Sequence, residues 1–349
     1  QHIGESRYKI RIISNITTHQ LNEILEYTLR KVSIPAVVKS GNYDNIIQDS
    51  QKYVDENLII IFWELANIIE GFHYKVELLN NQKVESFIKK TKSEINLIYK
   101  NLKDTPLVII NKFTSLPFSI NTFGDTQFEF IINHLNDFLI EKKPLNVKII
   151  DTEKTISSIG LKNSYDMRYF YSSKLLYTLD FFIQYSKLIK PIVISSSGGA
   201  KKALILDCDN TLWKGILGED GFDGIEMSNE TSDGIIFSEI QSIILALSRK
   251  GILIGLCSKN NHEDISAIID THNDMQLKDK DIIVKRVNWN DKVTNLVEIA
   301  EELNIGLDTI VYVDDSEFEI NHIKRELPEV TVLKVPEKIH EYPGMIRRH

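Results

Sequence analysis

Short apolar runs alternate with longer segments of helical period along this chain, and the alternation starts twice. A strand that follows a crossover helix pairs in parallel with the strand before it, and a parallel sheet needs helices over both faces. The pattern therefore predicts an α/β protein with two three-layer α/β domains. In the first half, strands are expected at Ile10 to Ile13, Ala36 to Lys39, Leu58 to Phe62, Leu107 to Ile110 and Val147 to Ile150. Helices are expected from His19 to Val32, Lys83 to Leu102, Gln127 to Glu141 and Arg168 to Lys187.

Ser195-Ser196-Ser197-Gly198-Gly199 has the most flexible composition in the chain and stands between the two patterns, as a linker would. The expected division is a first domain over 1–194, a linker over 195–200 and a second domain over 201–349. A length of 349 residues suits two cores better than one. The second half places strands at Ala203 to Leu206, Ile252 to Leu256, Ile282 to Val287 and Thr309 to Val313. Helices are expected at Ile235 to Lys250, Glu263 to Asp270, Val293 to Leu303 and Glu317 to Leu327. Between Trp213 and Met227, Gly215, Gly218, Gly221 and Gly224 predict a hairpin-like flap.

The strand ends carry the chemistry. The first strand runs into Asp207 and Asp209, the second into Ser258 and Lys259, and the fourth into Asp314 and Asp315, while Lys292 opens a helix after the third. Residues i and i+2 of a strand share a side, and ligands of open α/β sheets bind beyond the carboxyl ends of the strands. The two acids of the first strand are thus expected to meet one substrate. An aspartate held in line with phosphorus can form an aspartyl-phosphate, splitting one hard displacement into two easier ones. Carboxylates suit Mg²⁺, and a hydroxyl and an ammonium can neutralise equatorial phosphoryl oxygens. Asp207 and Asp315 for the metal, with Ser258 and Lys292 for the oxygens, fit that demand.

In order, Asp207-Cys208-Asp209-Asn210-Thr211, Ser258 after Ile-Gly-Leu-Cys, Lys292, and Val313-Asp314-Asp315 resemble the four motifs of the haloacid dehalogenase-like (HAD) superfamily. The resemblance implies a HAD-type Rossmannoid sheet in the second domain, and Mg²⁺ as cofactor. It makes Asp207 the nucleophile and Asp209 the general acid/base, with the Asp209 backbone carbonyl at the metal. Asp315 would be a further metal ligand, and Asp314, also a candidate for the metal, the partner of Lys292. Asn210, Thr211, Lys259 and Asn260 are expected to bind substrate.

Thr211-Leu-Trp-Lys-Gly-Ile-Leu-Gly-Glu-Asp-Gly, Cys257-Ser-Lys-Asn-Asn and Asn288-Trp-Asn-Asp-Lys resemble the FkbH-like branch, departing from it at Lys214 and Cys208. That resemblance implies removal of phosphate from a bisphosphoglycerate and transfer of the glyceryl group to a carrier-protein thiol. The first half is similar to an SGNH-hydrolase-like domain. Ser14-Asn15 replaces its Gly-Asp-Ser block and Tyr165-Asp166-Met-Arg-Tyr-Phe-Tyr lacks Asp-x-x-His, so a degenerate docking domain is expected.

Cys208 and Cys257 are the only cysteines, too few for a disulfide framework, and a cytoplasmic location is expected. A thiolate accepts acyl groups, which makes Cys257 the first candidate for a glyceryl thioester and Cys208 the second, against filling of the core. A net charge of −8 without a dense basic run argues against nucleic acid. No apolar stretch nears the roughly 18 residues that cross a bilayer, and no secretory leader is visible. The about twenty residues between Thr211 and the next helix, and the similarly short span from Ser258 to Lys292, leave no room for a large cap, so only a minimal one is expected and the site should admit a phosphorylated small molecule or an acyl carrier protein. Two rival readings stand beside the transferase: a plain phosphomonoesterase acting on a small metabolite or a phosphoprotein, and a non-catalytic scaffold.

Overall fold

Runs such as Leu-Ile-Ile-Ile-Phe at 58–62 and Ile-Val-Tyr-Val-Asp at 310–314 are buried at every residue, which only a sheet covered on both faces allows. The computed structural model describes residues 7–69, 71–118 and 126–348. The chain separates into two units, Gln1–Ser196 and Ser197–His349. Each holds one five-stranded parallel sheet. The α/β class expected from the alternation is the one observed.

In the first unit, β1 (Tyr8–Ser14), β2 (Ala36–Ser40), β3 (Leu58–Phe62), β4 (Leu107–Asn111) and β5 (Val147–Ile150) are ordered β2-β1-β3-β4-β5. Helix His19–Arg30 packs with Leu179–Ile194, while Asn81–Asn101 packs with Gln127–Lys142, giving the two outer layers. The single helix expected from Arg168 to Lys187 is instead two, Met167–Ser173 and Leu179–Ile194. Lys174 turns left-handed at φ 58°, Tyr165 bridges Tyr177, and the Thr178 side chain accepts from the Phe181 amide at 3.3 Å to start the second helix. Ser195–Gly199 continues that helix as a wide turn that breaks at Gly198, φ 95°. Ser14 Oγ, at the position compared with a nucleophile, donates to the Ile16 carbonyl at 2.8 Å.

Asn15 clamps the end of β3: its Nδ2 donates to the Glu64 carbonyl at 2.8 Å and its Oδ1 accepts from the Glu64 amide at 2.7 Å. The Glu64 side chain is thereby held inside, with Tyr177 donating its hydroxyl to Oε1 at 2.8 Å. Burial pushes this carboxyl from 4.5 up to about 7, against the opposing hydrogen bond from Tyr177. The fold thus binds this proton more tightly than the unfolded chain. The stability it contributes is complete below about pH 4.5 and is lost as pH rises through about 7. Glu64→Gln, neutral at every pH, is expected to exceed the wild type in stability by about 3 kcal/mol at pH 8 and to match it near pH 4. Denaturant midpoints at the two pH values check this, and an equal gap at both would contradict it.

The second unit orders its strands β10-β9-β6-β7-β8, with β6 Ala203–Leu206, β7 Leu253–Ser258, β8 Val284–Val287, β9 Ile310–Asp314 and β10 Thr331–Lys334. The edge strand β10 was not expected from sequence. The segment after Thr211 is hairpin-like, as its glycines imply. Lys214 and Glu226 exchange two backbone hydrogen bonds of 2.9 Å, and a helical turn, Leu217–Asp220, fills the loop. Among the described residues no helix is long and apolar enough to cross a membrane.

Candidate active site

Register brings three strand ends level. Leu206 pairs with Leu256 on one side and Val313 on the other, so the residues that follow, Asp207, Cys257 and Asp314, stand level at the carboxyl ends of β6, β7 and β9. The Asp207 amide donates to the Val313 carbonyl at 2.9 Å. Beyond it the chain leaves the sheet in a tight turn. The Thr211 and Leu212 amides donate back to the Cys208 carbonyl at 3.2 and 2.8 Å, and Asn210 takes a left-handed φ of 51°, which asparagine tolerates better than most residues.

Lys292, the first residue of helix Lys292–Glu302, is buried between two carboxylates. Its Nζ donates to Asp207 Oδ1 at 2.8 Å and to Asp314 Oδ2 at 2.6 Å. Asp314 also accepts from the Tyr312 hydroxyl and, at 2.7 Å, from the Ser316 amide. Its oxygens are thus largely occupied, while Asp315 is only partly buried. Carboxylate oxygens of Asp207, Asp314 and Asp315 lie within 4.8 Å of one another. Three acids face one ammonium here, and in a dry site that imbalance is costly.

The ionisation shifts reflect it. Burial, reinforced by Asp314, pushes the Asp207 carboxyl up, although Lys292 pulls the other way. Burial and Asp314 also raise Asp315. Burial works against the Lys292 ammonium, but Asp207 and Asp314 outweigh it and hold the charge well above the ordinary lysine range. An all-oxygen carboxylate cluster with unbalanced negative charge suits a hard divalent cation. Asp207 and Asp315 have the capacity to hold one, with Asp314 engaged by the lysine.

Ser258 is buried at the end of β7, and its hydroxyl favours the ionised Asp207 carboxylate against the effect of burial. Asn260 Nδ2 donates to Ser258 Oγ at 3.1 Å and to Asp209 Oδ2 at 3.0 Å. Side-chain bonds, not strand alternation, therefore join Asp209 to the Asp207 cluster, because Asp209 already lies in the turn. Asn210 Oδ1 accepts from the Gly215 amide at 3.0 Å. The Thr211 hydroxyl is buried without a partner, and the Thr211 carbonyl accepts from Tyr342 at 3.2 Å. Lys259 is tied to Glu319 at 2.7 Å, which places its ammonium on helix Glu317–Glu326 and not on the cluster.

The acyl-acceptor role expected for the cysteines does not fit this geometry. Cys257 and Cys208 are both 0% exposed, Cys257 packed with Ile205, Val284 and Tyr312 and Cys208 with Leu206, Leu212 and Trp213. Burial pushes the Cys257 thiol up to about 12 and the Cys208 thiol well above its ordinary range. Both fill the core. Conversely, Trp213 and Tyr312, absent from the candidate site residues above, bond Asp209 and Asp314. For Tyr312 a signal existed, since it precedes Asp314 by two residues on one strand and so shares its side.

Within the second unit, the described segments between the motifs are short. Residues between Thr211 and helix Ser232–Ser248 form the flap, and those between Ser258 and Lys292 form helix His262–Thr271, a short 3₁₀ turn and β8. An apolar cavity of about 540 Å³ lies at the opposite, amino ends of β6 and β7, lined by Ala203, Leu204 and Ile252, and carries no cluster of acids.

The strand order, with the acids at the carboxyl ends, is that of the HAD-type sheet expected from the motifs of the second unit. Among solved structures, the whole chain is similar to the N-terminal part of protein BF1531 from Bacteroides fragilis, a protein containing a phosphatase domain complexed with Mg. The two share 24% identity over 98% of this chain and 93% of that one, with a TM-score of 0.81, so the two-unit fold is common to both. A HAD family enzyme from Bacteroides thetaiotaomicron, in a magnesium complex, aligns with 43% of this chain at 13% identity and a TM-score of 0.31. No family model and no curated protein matches the chain.

Proposed function

We propose that the second unit is a Mg²⁺-dependent phosphohydrolase that works through a phosphoryl group carried on Asp207. One observation carries this reading: Asp207 shares a buried notch with Lys292 and lies within 4.8 Å of two further carboxylates, a set that serves phosphoryl transfer better than any structural purpose. The magnesium bound by the B. fragilis protein of the same fold supports the choice of cation. Asp207 and Asp315 would hold Mg²⁺, which supplies positive charge at the phosphoryl oxygens.

An Asp207 carboxylate oxygen attacks phosphorus, the bond from phosphorus to the leaving oxygen breaks, and Asp209 gives that oxygen a proton. Water then attacks the phosphoryl-aspartate, its proton passes to Asp209, and inorganic phosphate departs with Asp207 regenerated. Ser258 and Lys292 contact the transferring oxygens and stabilise their charge. Asp314 holds Lys292 in place.

The finer reading is the FkbH-like one, in which the substrate is a phosphoglyceryl acyl group passed on to a carrier thiol. It rests on the three signature segments and on a second unit that carries only a short flap beside its site. Burial of Cys208 and Cys257 requires the accepting thiol to come from outside this chain. The same burial favours the rival, a plain phosphomonoesterase that needs no thiol at all. With p-nitrophenyl phosphate, release of phosphate is expected with Mg²⁺ and not with chelator, and Cys257→Ala should retain it within about 3-fold, as for a volume change in the core. Metal-independent turnover would sink the phosphohydrolase reading. A glyceryl adduct on wild-type protein that vanishes in Cys257→Ala would overturn the exclusion of the thiol.

A further inference from the structure

Trp213 is fully buried, yet it spends its only polar atom on Asp209. The indole Nε1 donates to Asp209 Oδ1 at 3.1 Å, and the Leu217 amide, at the start of the flap's helical turn, donates to the same oxygen at 3.0 Å. Asn260 Nδ2 donates to Oδ2 at 3.0 Å. A carboxylate oxygen offers about two lone pairs, so both sites on Oδ1 are occupied and Oδ2 keeps one open. The carboxylate therefore has one fixed rotation and one free edge.

We infer that Trp213 and Asn260 are positioning residues that hold Asp209 with its Oδ2 edge toward the leaving oxygen of the substrate. The inference rests on the reading of Asp209 as the group that exchanges a proton with that oxygen. Phenylalanine would fill most of the same core volume, so packing alone does not call for an indole; the N–H does. A buried indole N–H needs an acceptor, and here the acceptor is the acid itself. Asn260, expected from sequence to touch substrate, is already committed on its Nδ2 to Asp209 and Ser258. It ties the acid to Ser258 at the end of β7. A proton donor must lie within hydrogen-bond reach of its target, and a displacement of about 1 Å can cost about 10²-fold in rate.

The test compares phenyl phosphate, whose phenolate leaves with a proton, with p-nitrophenyl phosphate, whose nitrophenolate leaves without one. The quantity is kcat/KM with Mg²⁺ for wild type, Trp213→Phe, Asn260→Ala and Asp209→Asn, since it reports the steps through loss of the leaving group. Trp213→Phe and Asn260→Ala are expected to lose about 10 to 100-fold on phenyl phosphate and less than about 3-fold on p-nitrophenyl phosphate, with KM little changed. Asp209→Asn should show the same discrimination in larger measure. Equal losses on both substrates in Trp213→Phe and Asn260→Ala, with Asp209→Asn still discriminating, would leave Asp209 as the acid and overturn the positioning role. Failure of Asp209→Asn to discriminate would overturn both together. Should Trp213→Phe fail to fold, Asn260→Ala decides the matter on the other carboxylate edge.

Discussion

Asp207→Asn is expected to lower phosphate release by at least about 10⁴-fold, the scale seen when a nucleophile of a covalent mechanism is removed, while the protein stays folded. Asparagine keeps the shape of the side chain and can still accept from Lys292, which retains Asp314 at 2.6 Å. What it lacks is the anionic oxygen that bonds to phosphorus. The substitution also takes one of three crowded carboxylates out of the cluster. Burial and Asp314 already push the Asp207 carboxyl up, so ionised Asp207 costs the metal-free fold stability. In chelator the variant should therefore melt no lower than the wild type. It should also gain less from added Mg²⁺, because a ligand stabilises in proportion to its affinity for the folded state. A variant that melts lower in chelator and keeps measurable turnover would place the nucleophile elsewhere.

Lys292→Met should be the most damaging change to stability in the second unit. It leaves Asp207 and Asp314 buried and facing each other, and loss of one partner from a buried ion pair costs about 3–5 kcal/mol. Activity should fall about 10³-fold, since one donor to the phosphoryl oxygens is lost with the lysine. The stability deficit has a pH signature. It should shrink as pH falls and the Asp207 carboxyl, already pushed up by burial, takes up a proton, because a neutral acid needs no counter-charge. Denaturant midpoints at pH 8 and pH 5 test this. A loss below about 1 kcal/mol at pH 8, typical of an exposed pair, would mean the lysine is not the buried counter-charge described.

The order of acids, serine and lysine along the chain made the notch readable before any coordinates, because each sits where an apolar run stops or a helix starts. Ala203 to Leu206 is apolar without a break and then meets Asp207, and that change of character marks the carboxyl end of a buried strand. Other parts were hidden for physical reasons. Asp209 was assigned to the face of Asp207 by strand alternation, yet the chain is already turning there, through the left-handed Asn210. Its partners, Trp213 and the Leu217 amide, belong to the flap, whose path no periodicity describes. The helix break at Ser173 and Lys174 carries neither glycine nor proline, and the Thr178 cap that restarts the helix is only one hydroxyl. Strand β10 has four residues on a sheet edge, with Lys334 among them, too little alternation to stand out. Tyr342 reaches the Thr211 carbonyl from 131 residues away, which no local pattern can signal. Lys259 read as a cation for substrate because its partner, Glu319, is on a different helix.

The measurement that bears most directly on the central claim is acid quenching of the enzyme during turnover of p-nitrophenyl phosphate with Mg²⁺, followed by intact mass and peptide mapping. The account predicts one hydroxylamine-labile phosphoryl group, carried by Asp207 and absent from Asp207→Asn. Steady phosphate release with no adduct at any quench time, or an adduct on another residue, would contradict it.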